Sequence, residues 1–413
     1  MYHTIFFVIV GILLFDYFFD RILDYLNLKH QSVELPDQLI GIYDSEKYRK
    51  SQEYDKTKSK FSFITSSFSL VLIMLMLFLG GFSFLDDWVR SISEHPIIMA
   101  LMFFGAITLV SNILNIPFEI FSTFVIEEKF GFNKTTPKIF IFDKIKSWLL
   151  GAIIGGGILA LIVWFYMLTT DYFWLYTWGF ITVFMLFMSM FYSNLIVPLF
   201  NKQTPLQEGD LRNAIEDFSK KEGFKLNNIF VIDGSKRSTK ANAYFTGLGT
   251  KKRIVLYDTL INDLEIPELV AVLAHEIGHN KKKHVTKGLI TSIIQTGFML
   301  FILSLFIDSP QMSVALGVKN TSFHIGIIAF GILYSPISTL LGIGTNLVSR
   351  KNEYQADYFA GIKYSGKHLG NALKKLSVKN LSNLTPHPVY VFFHYSHPTL
   401  LQRLKKLDNM NNS

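Results

Sequence analysis

Seven long runs of apolar residues constrain this chain more than any other feature of its sequence. Each run is close to the ~20 residues that a helix needs to cross a bilayer. Half of the 413 residues are hydrophobic and only 17% are charged, against about 25% in typical soluble domains. The sequence therefore predicts a mainly α-helical, polytopic membrane protein with seven transmembrane helices. The seven runs are approximately 4–26, 62–85, 97–125, 148–170, 173–197, 288–307 and 323–348.

Basic residues are distributed unevenly between the loops that join these runs. The loops 27–61 and 126–147 hold seven and five Lys or Arg residues, 86–96 and 308–322 hold one each, and 171–172 holds none. Loops rich in Lys and Arg remain on the cytoplasmic side of a membrane. With seven spans, this alternation predicts an outside N-terminus and a cytoplasmic C-terminus.

Two polar regions are long enough to fold outside the membrane. We divide the chain into a membrane region with five helices (1–197), a first cytoplasmic part (198–287), helices 6 and 7 (288–348), and a second cytoplasmic part (349–413). The two cytoplasmic parts are expected to form one domain that the last membrane hairpin splits.

Local patterns predict a mixture of helices and strands in the first cytoplasmic part. Thr204 and Pro205 suggest a cap and first turn for the first of these helices. Strands are indicated by β-branched and aromatic residues between Gly and Asp breaks. The expected helices are 206–222 and 263–284, and the expected strands are 228–233, 241–248 and 252–258. Glu127 and Glu128, which follow the third run, are interpreted as solvated flanking charges.

The second of these helices carries the pattern of a metal site. His275 and His279 are one turn apart, so both imidazoles can reach one Zn²⁺. Glu276 points to the open side of such a metal, where it can take a proton from bound water and later deliver it to the leaving amine. The alternative is an amphipathic helix with two surface histidines, which the apolar run 269–274 disfavours.

A third ligand has to come from elsewhere, and the chain has no Cys. This absence also excludes disulfide scaffolds and thiol nucleophiles. Glu353 is the candidate, with Asp357 one turn further on, where it can orient a ligand histidine. The alternative is an ordinary solvated acidic pair.

Several motifs taken together resemble one family over nearly the whole chain. They are similar to the integral-membrane zinc metalloproteases of peptidase family M48, specifically the CAAX prenyl proteases of the sterile-24 type. The motifs are His275-Glu276-x-x-His279, Glu353-x-x-x-Asp357, Asn242-Ala-Tyr-Phe-Thr-Gly247, His394-Tyr-Ser-His397-Pro398 and the segment 116–134.

This resemblance implies a barrel of seven tilted helices around an intramembrane chamber. It implies a gluzincin-type site at the cytoplasmic end with one Zn²⁺ per chain, Glu276 as the general base and Asp357 as the support of His275. The implied metal ligands are His275, His279 and Glu353.

The resemblance also implies roles for residues around the metal. His397 would stabilise the oxyanion, Arg403 would lie near the glutamate ligand, and an edge strand would bind substrate backbone. Each has an alternative: His397 closes a helix entry, Asn242 is a turn residue, and Arg403 is a surface charge. His284 is interpreted as extending the polar face of the zinc helix. The edge-strand residues are Asn242, Ala243, Tyr244, Phe245 and Thr246.

The expected function is a membrane-embedded zinc endopeptidase that acts on peptide or protein substrates, with or without a C-terminal isoprenoid. The net charge of +8 fits cationic loops beside anionic lipid, and we expect no nucleic-acid partner. The C-terminal residues contain no di-lysine signal, which favours a bacterial plasma membrane over the endoplasmic reticulum.

Two other functions are weighed against this one. A quality-control protease resembling the HtpX enzymes of family M48 would typically have fewer spans. A seven-helix transporter or receptor with a structural zinc would normally use four protein ligands, and Glu276 would then have no role.

Overall fold

The structure is a computed structural model that describes residues 4–32, 34–40, 44–224, 229–247 and 253–411. It is mainly helical, with one small sheet next to the membrane helices. The helices of the N-terminal half are α1 (Thr4–Lys29), α2 (Ser45–Phe78), α3 (Gly81–Ile92), α4 (Pro96–Phe121), α5 (Pro137–Leu150), α6 (Gly156–Thr169), α7 (Phe173–Leu195) and α8 (Val197–Phe200).

The C-terminal half alternates short helices with two long ones. A π-helical turn at Gly361–Ser365 joins α14 to α15. The helices are α9 (Asp210–Lys221), α10 (Asp258–Asp263), α11 (Ile266–Lys281), α12 (His284–Phe306), α13 (Pro310–Ala315), α14 (Phe323–Ala360), α15 (Gly366–Lys379), α16 (Pro388–His394) and α17 (Leu400–Asn411).

Among the described residues, six helical segments are long and apolar enough to cross a membrane, and they overlap six of the seven predicted runs. The first run forms α1, which is 26 residues long but carries Asp16, Asp20 and Arg21 and is not among the six. Asp16 accepts a hydrogen bond of 2.8 Å from Ser335 of α14. The six segments are Ser45–Phe78, Pro96–Glu127, Pro137–Thr169, Phe173–Phe200, His284–Phe306 and Phe323–Lys379.

Two predicted spans differ in extent from the helices that form them. The run 62–85 is broken after Phe78, because Gly80 adopts a left-handed conformation with φ of 71° and α3 starts afresh at Gly81. The run 323–348 does not end there, since α14 continues to Ala360. The boundary that we predicted between residues 348 and 349 therefore falls inside a continuous helix.

The sheet has the strand order β1-β2-β4-β3, so β3 lies at an edge. β2 and β4 are parallel, and the two outer strands run antiparallel to their neighbours. The strands are β1 (Gln203–Pro205), β2 (Ile229–Ile232), β3 (Ala243–Thr246) and β4 (Arg253–Tyr257). β2, β3 and β4 lie inside the three predicted strands, whose residues 228, 248 and 252 fall outside the described residues. β1 was not predicted.

Two predicted helices have different ends. Thr204 and Pro205 do not cap a helix, because they pair with β2 as part of β1, and α9 begins at Asp210. The predicted helix 263–284 is wrong at both ends. α11 begins at Ile266, where a capping box formed by Glu265 and Glu268 satisfies backbone amides of the first turn. At the other end, Lys283 in a left-handed conformation separates α11 from α12.

α11 lies at the centre of the extramembrane core. Its apolar run 269–274 is buried together with residues of the sheet, α9, α15 and α17. On the other side Gly278 lies against α14, where an added Cβ would come within 3.1 Å of Ala356 Cα and of Phe359 Cβ. The absence of a side chain at Gly278 thus permits the close approach of α11 and α14.

We predict that Gly278→Val lowers the melting temperature of the purified protein. The new methyl groups would overlap α14, and overpacking of this kind typically costs about 1–3 kcal/mol. Gly288→Val is the matched control, because it makes the same change in α12, where no atom lies within 4 Å of the added Cβ. Equal melting temperatures for the two variants, measured in one detergent, would contradict this packing.

Candidate metal centre

Three side chains from two helices converge next to the α11–α14 contact. His275 Nε2 and His279 Nε2 are 3.0 Å apart. Glu353 of α14 places Oε2 3.4 Å from the first of these nitrogens and Oε1 3.2 Å from the second. In the described part of the chain, these three residues form a group that could hold a metal ion. The three predicted ligands are therefore neighbours in space.

The size of this triangle fits one Zn²⁺. A tetrahedral zinc ion with bonds of about 2.0–2.1 Å separates its donor atoms by about 3.3 Å. The side chain of Glu353 is also compatible with a bound cation, because it is buried and its Oε2 accepts no hydrogen bond, while Arg403 Nη1 lies 3.5 Å from that oxygen. A buried carboxylate oxygen without a donor normally requires a cation or water.

His275 is oriented by a buried carboxylate. Its Nδ1 donates to Asp357 Oδ1 over 2.9 Å, which leaves Nε2 directed at the other two donor atoms. Arg403 holds Asp357 in turn, with Nη2 2.6 Å from Oδ1 and Nε 2.8 Å from Oδ2. Asp357 is fully buried, so the Arg403 guanidinium supplies the charge that this carboxylate needs.

The charges of this network shift the pKa values of its members. Burial disfavours the protonated ring of His275, but the neighbouring carboxylates of Asp357 and Glu353 outweigh this effect and raise the pKa of His275 to about 9. A proton and a metal ion therefore compete for this ring. Burial lowers the pKa of Arg403, but the nearby Asp357 and Glu353 carboxylates raise it above its ordinary value. Arg403 remains charged.

His279 is oriented by His284, which we interpreted from the sequence as only extending the polar face of the zinc helix. Its Nδ1 lies 3.0 Å from His284 Nδ1, and His284 Nε2 lies 2.9 Å from Gln355 Oε1. Because Gln355 Oε1 only accepts, His284 carries its proton on Nε2 and accepts from His279 Nδ1–H. His279 Nε2 then keeps its lone pair for a metal.

The missed role of His284 has a clear cause. Five residues on one helix turn the side chain by about 140° beyond a full turn, which would point His284 away from His279. The left-handed backbone of Lys283 starts a new helix and brings the ring back. A positive φ at a lysine is not a feature that its neighbours in the sequence predict.

A cavity of about 410 Å³ opens over the three donor atoms. Glu276 lines it beside the predicted ligands, and so do Arg403 and His397. His397 is largely exposed, with Nε2 3.3 Å from Glu353 Oε1 and Nδ1 3.0 Å from Ser396 Oγ. His397 therefore lies at the rim of the centre.

The edge strand forms one wall of this cavity. Residues 242–245 line it, while Thr246 continues the strand and pairs with Arg253. Asn380 fixes the approach to the strand, because its amide bonds both Ala241 N (3.2 Å) and Ala241 O (3.3 Å). In the described residues, the edge of β3 that faces away from β4 pairs with no other strand.

Glu127 is not the solvated flanking charge that we expected. It accepts hydrogen bonds from Lys240 Nζ (2.7 Å) and Tyr54 OH (2.5 Å), and Lys240 Nζ lies 4.4 Å from the centre of the Phe132 ring. Glu128 bonds Asn133 over 3.0 Å. The segment after α4 thereby anchors the chain that leads into the edge strand.

Comparison with known proteins assigns both halves of the chain. Residues 24–202 match the family described as CAAX prenyl protease N-terminal, five membrane helices. Residues 205–411 match peptidase family M48. The chain belongs to peptidase family M48. It is thus a metallopeptidase with a membrane region, as its motifs predicted.

Relatives in this family match along nearly the entire length. The CAAX prenyl protease 1 homolog of Arabidopsis thaliana is 38% identical, over 97% of this chain and 96% of that protein. The CAAX prenyl protease 1 of Saccharomyces cerevisiae is 36% identical, over 97% and 94%. The crystal structure of S. mikatae Ste24p superposes with a TM-score of 0.93 and 34% identity, covering 99% of this chain and 100% of that one.

Proposed function

We propose that the chain is a zinc endopeptidase that cleaves a peptide bond near the C-terminus of isoprenylated proteins. The observation that carries this proposal is the cavity where Glu276 lies beside His275, His279 and Glu353, under the unpaired edge of β3. The names of the relatives support the substrate class, since they are CAAX prenyl proteases over nearly the whole length.

His275, His279 and Glu353 would hold one Zn²⁺ per chain. When bound, zinc activates water as a nucleophile and polarises the scissile carbonyl. Glu276 takes the proton of the attacking water and later delivers it to the leaving amine. Asp357 and His284 keep the proton of each histidine on Nδ1, and Arg403 balances the negative charge of Asp357 and Glu353.

His397 and the edge strand act on the substrate. An extended peptide can add to the unpaired edge of β3 as a further strand, with its backbone bonded along Asn242 to Thr246. This holds the scissile carbonyl over the metal centre. His397, at the rim, donates a hydrogen bond to the carbonyl oxygen as negative charge develops there.

The two other functions are less consistent with the chain. A structural zinc site would be closed by four protein ligands, whereas three candidate ligands converge in the described residues. A quality-control protease with fewer spans would not account for the match of residues 24–202 to the CAAX prenyl protease N-terminal family.

We predict that Glu276→Gln keeps its zinc but loses turnover by about a hundredfold or more, because it removes the base and spares the ligands.

His397→Ala is expected to lower kcat by about a hundredfold with KM nearly unchanged, as for loss of an oxyanion donor. Asp217→Asn, at an exposed position of α9, is the control. The assay measures products of one peptide, isoprenylated and unmodified, by mass spectrometry.

Each part of the proposal has an outcome that would contradict it. Normal turnover by Glu276→Gln would contradict the mechanism, and normal turnover by a folded, zinc-loaded His397→Ala would remove His397 from it. Cleavage of the unmodified peptide alone would retain the peptidase and reject the isoprenylated substrate class.

We also propose that α1 is a seventh span and that the seven helices enclose a chamber. α1 is tied to α2 by Tyr17 and Ser67, whose oxygens are 2.7 Å apart. Polar residues of α4 line a cavity of about 350 Å³ that includes Asn112, Asn115 and Glu119. Such residues inside a membrane segment normally face protein or water rather than lipid, which favours a wet interior. The bacterial location stays a prediction.

The basic loops support a cytoplasmic location of the metal centre. We predict that a single Cys at Lys236 is protected from an impermeant thiol reagent added to intact cells, whereas one at Glu94 is labelled. Both positions are exposed, and the native chain has no Cys to label. Lysed cells are the control, in which both variants are expected to react. Labelling of the Lys236 variant in intact cells would contradict the proposed orientation.

A further inference from the structure

A second cavity lies beside the metal centre, on the outer side of α14. Its volume is about 490 Å³. Of the eight residues that line it, all in the described part of the chain, four are cationic and none is acidic. They are Lys282, Leu347, Arg350, Lys351, Tyr354, Gln355, Tyr358 and Lys406.

The positive charges of this pocket have no internal counterion. Arg350 Nη1 donates to the backbone carbonyls of Val391 (3.1 Å) and Tyr395. Lys406 Nζ lies 3.6 Å from the centre of the Tyr354 ring. In the described residues, none of the four cations pairs with a carboxylate. The four positive charges repel one another, and a bound anion would relieve this repulsion.

The pocket and the metal centre lie on different faces of α14. Residues 347, 351, 354 and 358 follow one stripe of α14, because they are three or four positions apart. Glu353 and Asp357 form another stripe, about 100° away around the same helix. The metal centre uses the second stripe and leaves the first to the surroundings of the protein.

These surroundings change from apolar to polar at the level of the pocket. Leu340, Leu347 and Val348 of α14 are exposed apolar side chains that precede Arg350 and Lys351. On α12 the order is reversed, with exposed Lys282 and Lys283 before it and exposed Ile290 and Ile294 within it. The cations thus lie at the transition from exposed apolar to exposed charged side chains, which is the usual level of Tyr, Lys and Arg at membrane interfaces.

We propose that this pocket binds the phosphate headgroup of an anionic phospholipid. Basic pockets between helix ends are suited to such headgroups, and Arg and Lys are the usual donors to phosphate oxygens. The volume is within the range of small-ligand sites. Tyr358 is exposed beside it and supplies an aromatic surface for the upper part of the acyl chains.

The test is native mass spectrometry of the full-length protein titrated with phosphatidylglycerol or with phosphatidylcholine of the same acyl chains. We expect tighter binding of phosphatidylglycerol by the wild type. The double variant Lys351→Gln, Lys406→Gln should weaken this binding roughly tenfold to thirtyfold. Lys367→Gln, Lys405→Gln removes the same charge from exposed positions outside the pocket and should bind as the wild type does.

A second double variant, Lys351→Arg with Lys406→Arg, keeps the charge and should retain the lipid, which separates loss of the site from loss of the fold. Gln355 is left unchanged because it also bonds His284. Three results would overturn the proposal: equal binding of the two lipids by the wild type, undiminished phosphatidylglycerol binding by the Gln double variant, or displacement of the lipid by inorganic phosphate at equal concentration.

Discussion

The metal centre depends on the close packing of α11 against α14. The histidine pair and Glu353 are separated by 74 or more positions in the sequence and by the whole membrane hairpin of α12 and α14. They meet because Gly278 offers no side chain to the facing surface of Ala356 and Phe359. The residues around this contact are buried in the same core. The spacing of the three donor atoms follows from this one interface.

Hydrogen bonds from other elements fix what the packing brings together. Arg403 on α17 holds Asp357, and Asp357 holds His275. His284 at the start of α12 holds His279. Each imidazole thus has its Nδ1 proton committed and its Nε2 lone pair directed inward, which is the state a zinc ligand requires. Because these partners come from different elements, the centre also ties the extramembrane helices to the membrane hairpin.

Sequence reasoning succeeded where one local periodicity is sufficient. The two histidines are one turn apart and so lie on one face of their helix, and the same holds for the two acidic residues. The resemblance to a family then assigned both pairs to one site, because the distance between them in the sequence does not show that they meet. The edge position of β3 was also predicted, although only from the resemblance to a family.

The errors share a physical origin in backbone conformation and long-range contact. Gly80 and Lys283 end helices through positive φ angles, and the hydrophobic pattern on either side of them continues without a break. Thr204 and Pro205 have the composition of a helix cap, but pairing with β2 takes them into a strand. Glu127 has the sequence context of a solvated charge, and only the fold brings Lys240 and Tyr54 to it.

The central claim is that one zinc ion is held by two histidines of α11 and one glutamate of α14. The most direct test is elemental analysis of zinc in the purified protein and in three variants, with folding checked by melting temperature. About one zinc per chain is predicted for the wild type and for Asp217→Ala at an exposed position of α9, and well below one for folded His275→Ala and Glu353→Ala. Equal zinc content in all four proteins would contradict the account.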